Sequence, residues 1–390
     1  MASRNHERGV NGLGQQCRRC QANESSIIVR NEALCAECLV KYIQTKVIKR
    51  LESFRVRHSA PGRPRKLLLP LSLGISSLTL LHILDGHLRG QRSNTGRTGY
   101  ALHILHVTTS VQGQWAADPA LLKKVKECYP DHVYFAIPLA SIFDGDESNG
   151  ARNTTSAGDH VPSSSSNQNR LDTLLTSLPT PASRSDIISI LQTRLIVSFA
   201  RTAGCESILW GDSTTRLAEK VLASTAKGRG FALPWHICDG PTPYGIDFHY
   251  PVRDLLKKEL LEHAPLATSS VADIATAPPA PPTPSAAVNV RSSTIDGLVA
   301  QYFLKAESDY PSIVSNAVRT AAKLEAAPSD RWGRDGSVCR LCKLPVAEGL
   351  FGVTGWGGGR DGGVESRGSE GELCYGCTRS VPRDVVSLLP

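Results

Sequence analysis

Lys66-Leu67-Leu68-Leu69-Pro70-Leu71 runs directly into Ser72-Leu73-Gly74-Ile75-Ser76-Ser77 and then Leu78 to Leu88. The first six residues form a short apolar run of strand length, the kind a sheet buries on both faces. A turn carrying serine and glycine follows, and apolar residues then recur at helical spacing over 76–88. A strand, a small-residue turn and a helix start place free backbone N–H groups and the positive end of a helix dipole at one spot. Chemically that is a phosphate site. Ser72, Gly74, Ser76 and Ser77 are its candidate contacts.

The same alternation continues outward. Strands are expected at 101–108, 132–138 and 207–210. Helices are expected at 118–128, capped by Asp118 with Pro119 first, and at 214–224. A long helix capped by Ser185 carries Ile187, Leu191, Leu195 and Phe199. Strands separated by helices predict an α/β fold, a parallel sheet covered on both faces.

Upstream, Leu39, Tyr42, Ile43, Val47 and Leu51 predict a helix over 38–54; downstream, helices are expected at 294–305 and 311–326. Two stretches lack the means to fold. Residues 144–170 hold Gly, Ser, Asn and Thr with almost nothing apolar and read as a disordered insertion. Residues 264–293 are rich in Ala and Pro and read as a linker. The expected organisation is therefore a disordered 1–16, a cysteine-rich module with its helix at 17–54, an α/β domain at 55–263, the linker, and a helical and cysteine-rich region at 294–390.

Hydrophobic residues make up 41% of the 390, enough to bury a core, and the formal net charge of +8 favours an anionic partner without identifying one. The polar first residues have no apolar signal core, and no stretch reaches the ~18 apolar residues of a membrane span. With eleven cysteines, these features predict a cytoplasmic chain whose paired cysteines hold metal rather than disulfides.

Eight of the cysteines form two matching patterns. Cys17-x-x-Cys20 faces Cys35-x-x-Cys38, and Cys339-x-x-Cys342 faces Cys374-x-x-Cys377 across a longer, glycine-rich spacer. Two such pairs supply the four thiolates of a closed, structural zinc site, with no open position at which to activate water. Four thiolates also serve an iron–sulfur cluster, and spacing leaves that alternative open. Cys128, Cys205 and Cys238 are scattered and fit small buried hydrophobes.

Basic residues crowd the segment between the first module and the first strand: Lys46, Lys49, Arg50, Arg55, Arg57, Arg63, Arg65 and Lys66 against Glu52 alone. A solvated face is one account of such a run; an RNA-backbone surface is the other.

The turn at 72–77 resembles the PP-loop, S-G-G-x-D-S, of the ATP-pyrophosphatase families. Ser72, Gly74 and Ser77 match, while Leu73 replaces the first glycine and Ser76 the aspartate. Leu209-Trp210-Gly211-Asp212-Ser213-Thr214-Thr215 stands where a second family motif places paired acids. Tyr250-Pro251-Val252-Arg253-Asp254 through Lys258-Glu259 is similar to the P-L-R-D…K-E segment of tRNA-thiolating enzymes. With Cys17–Cys38 and Lys227-Gly228-Arg229-Gly230, these motifs identify the chain as similar to the cytoplasmic tRNA 2-thiolation protein 2 family. The resemblance implies a PP-loop core between two zinc modules. It also implies 2-thiolation of the wobble uridine in tRNAs for Lys, Glu and Gln, as a heterodimer with an intact catalytic PP-loop subunit. The sulfur donor would be a ubiquitin-like thiocarboxylate protein. Leu73, Ser76, Thr214 and Thr215 depart from the catalytic pattern and predict a non-catalytic subunit with little or no ATP binding. An active tRNA-adenylating sulfurtransferase and a zinc-ribbon nucleic-acid binder are the alternatives.

Overall fold

The computed structural model describes residues 14–30, 32–55, 65–111, 114–115, 119–147, 164–267, 271–275, 294–326, 338–346, 351–352 and 373–390. The chain begins with a hairpin of β1 (Ile27–Val29) and β2 (Glu32–Leu34) and the long α1 (Ala36–Arg55). Then follow β3 (Arg65–Pro70), α2 (Ile75–Thr95), β4 (Tyr100–Thr108), the small hairpin β5 (Ser110–Val111) and β6 (Gln114–Trp115), α3 (Pro119–Cys128) and β7 (Val133–Pro138). After α4 (Ser164–Thr176) and α5 (Pro181–Thr202) come β8 (Ser207–Leu209), α6 (Thr214–Ala226), the single turn α7 (Leu233–His236), β9 (Gly240–Pro241), β10 (Asp247–His249), α8 (Lys257–His263) and α9 (Val271–Ile274). The described chain ends on α10 (Ile295–Asp309), α11 (Pro311–Ala321) and α12 (Tyr375–Ser380).

Six strands make the main sheet in the order β7-β4-β3-β8-β10-β9. All pairs are parallel except the last, β10 with β9. Chain order reverses between β3 and β8, the topological switch point at which sheets of this kind open a crevice beyond their carboxyl ends. The turn at 72–77 and the segment 210–215 both leave the sheet there.

Alternate residues of each strand feed two separate cores. Leu67, Leu69, Leu71, Ile104 and Leu209 face the core built with α1, α2, α3 and α8. Leu68, Leu105 and Ile208 face the core built with α4, α5, α6, α10 and α11. The first core also contains Cys17 and Cys35; the second contains Cys339, Cys342, Cys374 and Cys377. The two cysteine modules thus seal opposite faces of one sheet.

Three expectations change in detail. The cap of α5 is Thr180, whose hydroxyl accepts from Ser183 N at 3.0 Å with Pro181 in the first turn, so the helix starts before Ser185. Of the segment 144–170, its start belongs to a 3-10 helix over Leu139–Glu147, and 164–170 open α4, whose Leu171, Leu174 and Leu175 are core residues. The first residues of 264–293 form a 3-10 turn and α9, with Val271 and Ile274 buried. Asp118, the middle of the expected insertion and most of the expected linker lie outside the described residues.

Candidate functional site: a closed loop at the switch point and two thiolate clusters

At the switch point the phosphate-loop candidates do come together. Leu73 adopts φ 60°, the left-handed conformation that a glycine would take without cost. Its side chain is fully buried in the core, so the leucine keeps the backbone path of the loop while its bulk packs away from the turn. The hydroxyls above bond to one another. Ser72 Oγ lies 3.2 Å from Ser77 Oγ, Ser77 donates to Gly74 O at 3.0 Å, and Gly74 N reaches Ser72 Oγ at 3.4 Å. A loop whose donors satisfy one another has fewer to offer an anion.

Across the crevice, Gly211 packs on this loop. A Cβ there would lie 2.8 Å from Ser77 Cα and 3.1 Å from Ser77 N, both backbone atoms that cannot swing aside. Gly211→Ala should therefore cost about 1–3 kcal/mol by overpacking, read as a lower urea midpoint with an unchanged m-value.

The positions that should carry paired acids have been put to structural use. Ser213 caps α6 by accepting from Arg216 N. Thr214 Oγ1 donates to Arg253 O at 2.6 Å, and Thr215 Oγ1 donates to Glu307 Oε2 on α10 at 3.0 Å while accepting from Lys257 N at 3.0 Å. Glu307 Oε1 accepts from Lys258 N at 2.6 Å. The two threonines thereby tie α6, the 250–259 segment and α10 together.

In each thiolate cluster the four sulfurs lie within 4.8 Å of one another. In the first, Cys20 Sγ and Cys35 Sγ are 3.8 Å apart. A tetrahedral ion with metal–sulfur bonds of about 2.3 Å sets its sulfurs about 3.8 Å apart, so the residues present fit one four-coordinate ion. A cubane cluster, which puts a separate iron beneath each thiolate, needs the sulfurs spread wider.

The local build is the same twice. Gln21 and Lys343, each just after the second cysteine of its leading pair, take φ 54° and 57°, closing the knuckle. The trailing pair opens a helix: Cys35 precedes α1, and Cys374 is the N-cap of α12. In the first cluster burial pushes the Cys17 thiol up, but the backbone N–H groups of Cys20, Cys35 and Arg19 together outweigh it and bring its pKa to about 6. Such N–H groups favour the thiolate that a metal requires. The clusters differ in depth. All four cysteines of the second are buried, whereas Cys20 is exposed and Cys38 half-buried in the first.

The second cluster is joined to the sheet by Lys227-Gly228-Arg229-Gly230. Gly228, at φ 73°, lies against the Tyr375 ring so closely that a Cβ would sit 2.4 Å from it. Arg229 passes beneath Gly376, donating to its carbonyl at 3.1 Å and to Ser380 Oγ at 2.8 Å, and pairs with Asp186 at 3.0 Å. The sequence marked this motif without indicating its role as a clamp. Of the other cysteines, burial raises the pKa of Cys205 and Cys238, keeping both as thiols.

The basic run separates in space. Arg65 pairs with Glu206 beside β3. Lys66 is exposed next to it. Lys46, Lys49 and Arg50 instead line a pocket together with Arg30, Arg253 and Arg319, none of which the sequence had grouped with them. Arg57, Arg63 and the side chain of Arg55 lie outside the described residues.

The family profile described as Cytoplasmic tRNA 2-thiolation protein 2 matches residues 294–350. Proteins of that name from Phaeosphaeria nodorum and Pyrenophora tritici-repentis are 47% and 45% identical to it. They align over 94% and 96% of this chain and the same shares of their own. Among solved structures, a U34-tRNA thiolase from Methanococcus maripaludis, determined with its [4Fe-4S] cluster, superposes with a TM-score of 0.55 at 15% identity. The match covers 88% of this chain and 95% of that one, and shows that the PP-loop fold is shared. Among the described residues, no helix is long and apolar enough to cross a membrane.

Proposed function

The chain belongs to the cytoplasmic tRNA 2-thiolation protein 2 family, and from that premise we propose that it is the supporting, non-catalytic subunit of a cytoplasmic complex that 2-thiolates the wobble uridine of tRNAs for Lys, Glu and Gln. Its partner is a PP-loop subunit with an intact loop, and sulfur arrives on a ubiquitin-like thiocarboxylate carrier. The observation that carries this reading is the condition of the switch-point crevice. The loop's serine hydroxyls bond to one another, and Thr214 and Thr215 are spent on structural contacts. Transfer of an adenylyl group calls for free phosphate-binding donors and metal-holding carboxylates, and these contacts support a loop and a crevice that serve structure instead.

Each thiolate cluster would hold one zinc ion: Cys17, Cys20, Cys35 and Cys38 in the first, Cys339, Cys342, Cys374 and Cys377 in the second. With four thiolates and no open position the metal's contribution is structural, fixing each module against its face of the sheet.

Two measurements test the reading. Deletion of the gene should abolish 2-thiolated wobble uridine in total tRNA by mass spectrometry, and retention of normal levels overturns the thiolation role. Calorimetric titration of the purified chain with ATP and magnesium should show no binding in the low micromolar range. A low-micromolar dissociation constant, or tRNA-dependent pyrophosphate release by this chain alone, would instead make it the adenylating enzyme.

A further inference from the structure

Residues from four separate parts of the chain converge on one strongly basic pocket of ≈ 550 Å³. Arg30 projects from the turn between β1 and β2, Lys46, Lys49 and Arg50 from one face of α1, Arg253 from the loop after β10, and Arg319 from the end of α11. Thr214, the first residue of α6, adds the positive end of a thirteen-residue helix to the wall.

Among the described residues, Asp254 is the only acid lining the pocket. Behind it, Glu259 pairs with Arg30, and Asp239 pairs with Arg50 and Arg253. Six cations therefore face three carboxylates, and Lys49 and Arg319 are both exposed on the pocket's walls. Four of the six cations, Arg30, Lys46, Arg50 and Arg253, are also held in place. Arg30 and Lys46 both donate to Asp254 O, at 2.9 and 3.2 Å, and Arg50 binds Asp254 Oδ2 at 2.9 Å. Burial, and after it the nearby Arg30, lowers the pKa of Lys46. Four anchored cations flanked by two exposed ones around a cavity of this size, with fewer carboxylates than cations, match a polyanion better than a solvated face.

Resting on the thiolation role proposed above, we propose that this pocket seats the phosphodiester backbone of the tRNA, with Arg30, Lys46, Lys49, Arg50, Arg253 and Arg319 as its phosphate contacts. The site lies apart from the closed loop at 72–77, none of whose residues lines it. It draws on only the first three members of the basic run and adds three arginines from elsewhere.

The test uses the full chain and a transcribed tRNA with uridine at the wobble position, titrated across a salt series. Lys49 and Arg319 are the residues to replace, because the other four cations also hold the fold together. Each phosphate contact contributes roughly 0.7 to 0.9 to the slope of log affinity against log salt. Lys49→Ala with Arg319→Ala should thus lower the slope by about 1.5 and weaken binding roughly 30-fold at 0.1 M salt, with zinc content and melting temperature unchanged. Lys123→Ala with Lys124→Ala, on the exposed face of α3, should leave slope and affinity at wild-type values.

Failure of the wild-type chain to bind tRNA, or wild-type slope and affinity in the Lys49/Arg319 variant, overturns the pocket. Displacement of tRNA by micromolar inorganic phosphate or ATP would assign the pocket to a free phosphate ligand and likewise overturn the RNA assignment. The two readings fail separately. Deletion cells that retain thiolated uridine refute the thiolation role, whereas deletion cells that lose it while the variant binds normally refute only the pocket.

Discussion

Cys342→Ser should remove one of two zinc ions per chain and unfold the C-terminal module along with the helices packed on it. Binding of a structural zinc is worth roughly 10–16 kcal/mol in peptide models, while whole domains are stable by only about 5–15 kcal/mol. Position decides how far the damage spreads. Cys339, Cys342, Cys374 and Cys377 are buried members of the same core as Leu191, Ile208, Phe248 and Val314. Tyr244 from the α/β domain donates to Cys342 O at 3.0 Å. Losing the metal there leaves thiols and backbone groups inside that core without their organising ion. Cys20→Ser, at the exposed rim of the first cluster, should also lose one zinc, but with unfolding largely confined to β1, β2 and the start of α1. Metal analysis together with hydrogen exchange checks both variants. Native exchange protection in α5 and α10 of the Cys342→Ser protein would show that the second centre is dispensable to the core.

The difference between the two centres could not be read from the sequence, although both centres could. Cysteine spacing encodes a ligand set directly, because two sulfurs three residues apart reach one ion by local geometry. What each module packs against is encoded nowhere locally. Gly228 and Tyr375, or Arg229 and Gly376, are nearly 150 positions apart, and only the fold brings them into contact. The central strands were legible for a related reason. Leu67, Leu68 and Leu69 are buried on both faces, and that leaves a run of consecutive apolar residues. β10, only Asp247–His249, leaves no such trace, being a short strand held by its parallel pairing with β8. Leu73 shows the limit in another form. Its sequence predicts bulk in the way of a phosphate, whereas the structure turns that bulk downward into the core and retains the left-handed backbone of a glycine. The basic run likewise predicted charge but not its partition, since Asp239 and Asp254 both claim Arg50 while Glu206 claims Arg65.

Arg229→Met should uncouple the second centre from the α/β domain and weaken its hold on metal. Four thiolates around a divalent ion carry a net charge of −2, and in a buried site that excess must be met by hydrogen bonds or a cation. Arg229 is that cation. Burial works against its charge, yet Cys377, Asp186 and Cys374 outweigh burial and raise its pKa. The same guanidinium donates to Gly376 O and Ser380 Oγ, and Ser380 Oγ in turn donates to Asp186 at 2.8 Å. Lys227 also reaches Asp186, at 2.6 Å, so with Ser380 the carboxylate keeps two partners when the arginine is removed, and the thiolates lose theirs. Breaking a buried pair from one side costs about 3–5 kcal/mol, and the surviving Lys227 contact puts this variant at the lower end, near 3 kcal/mol. Methionine matches the length and apolar stem of arginine, so what is lost is charge and donors rather than packing. Arg229→Lys should rescue little, because one ammonium cannot serve Gly376, Ser380 and Asp186 in the directions a planar guanidinium does. The reporting measurement is competition for zinc by a chelator: the second ion should leave the Arg229→Met protein well before the first, reversing the order that burial imposes on the wild type. A variant that releases its two ions in wild-type order, with the melting temperature unmoved, would mean that backbone N–H groups alone balance the cluster, as Cys374 N does at 3.3 Å from Cys339 Sγ.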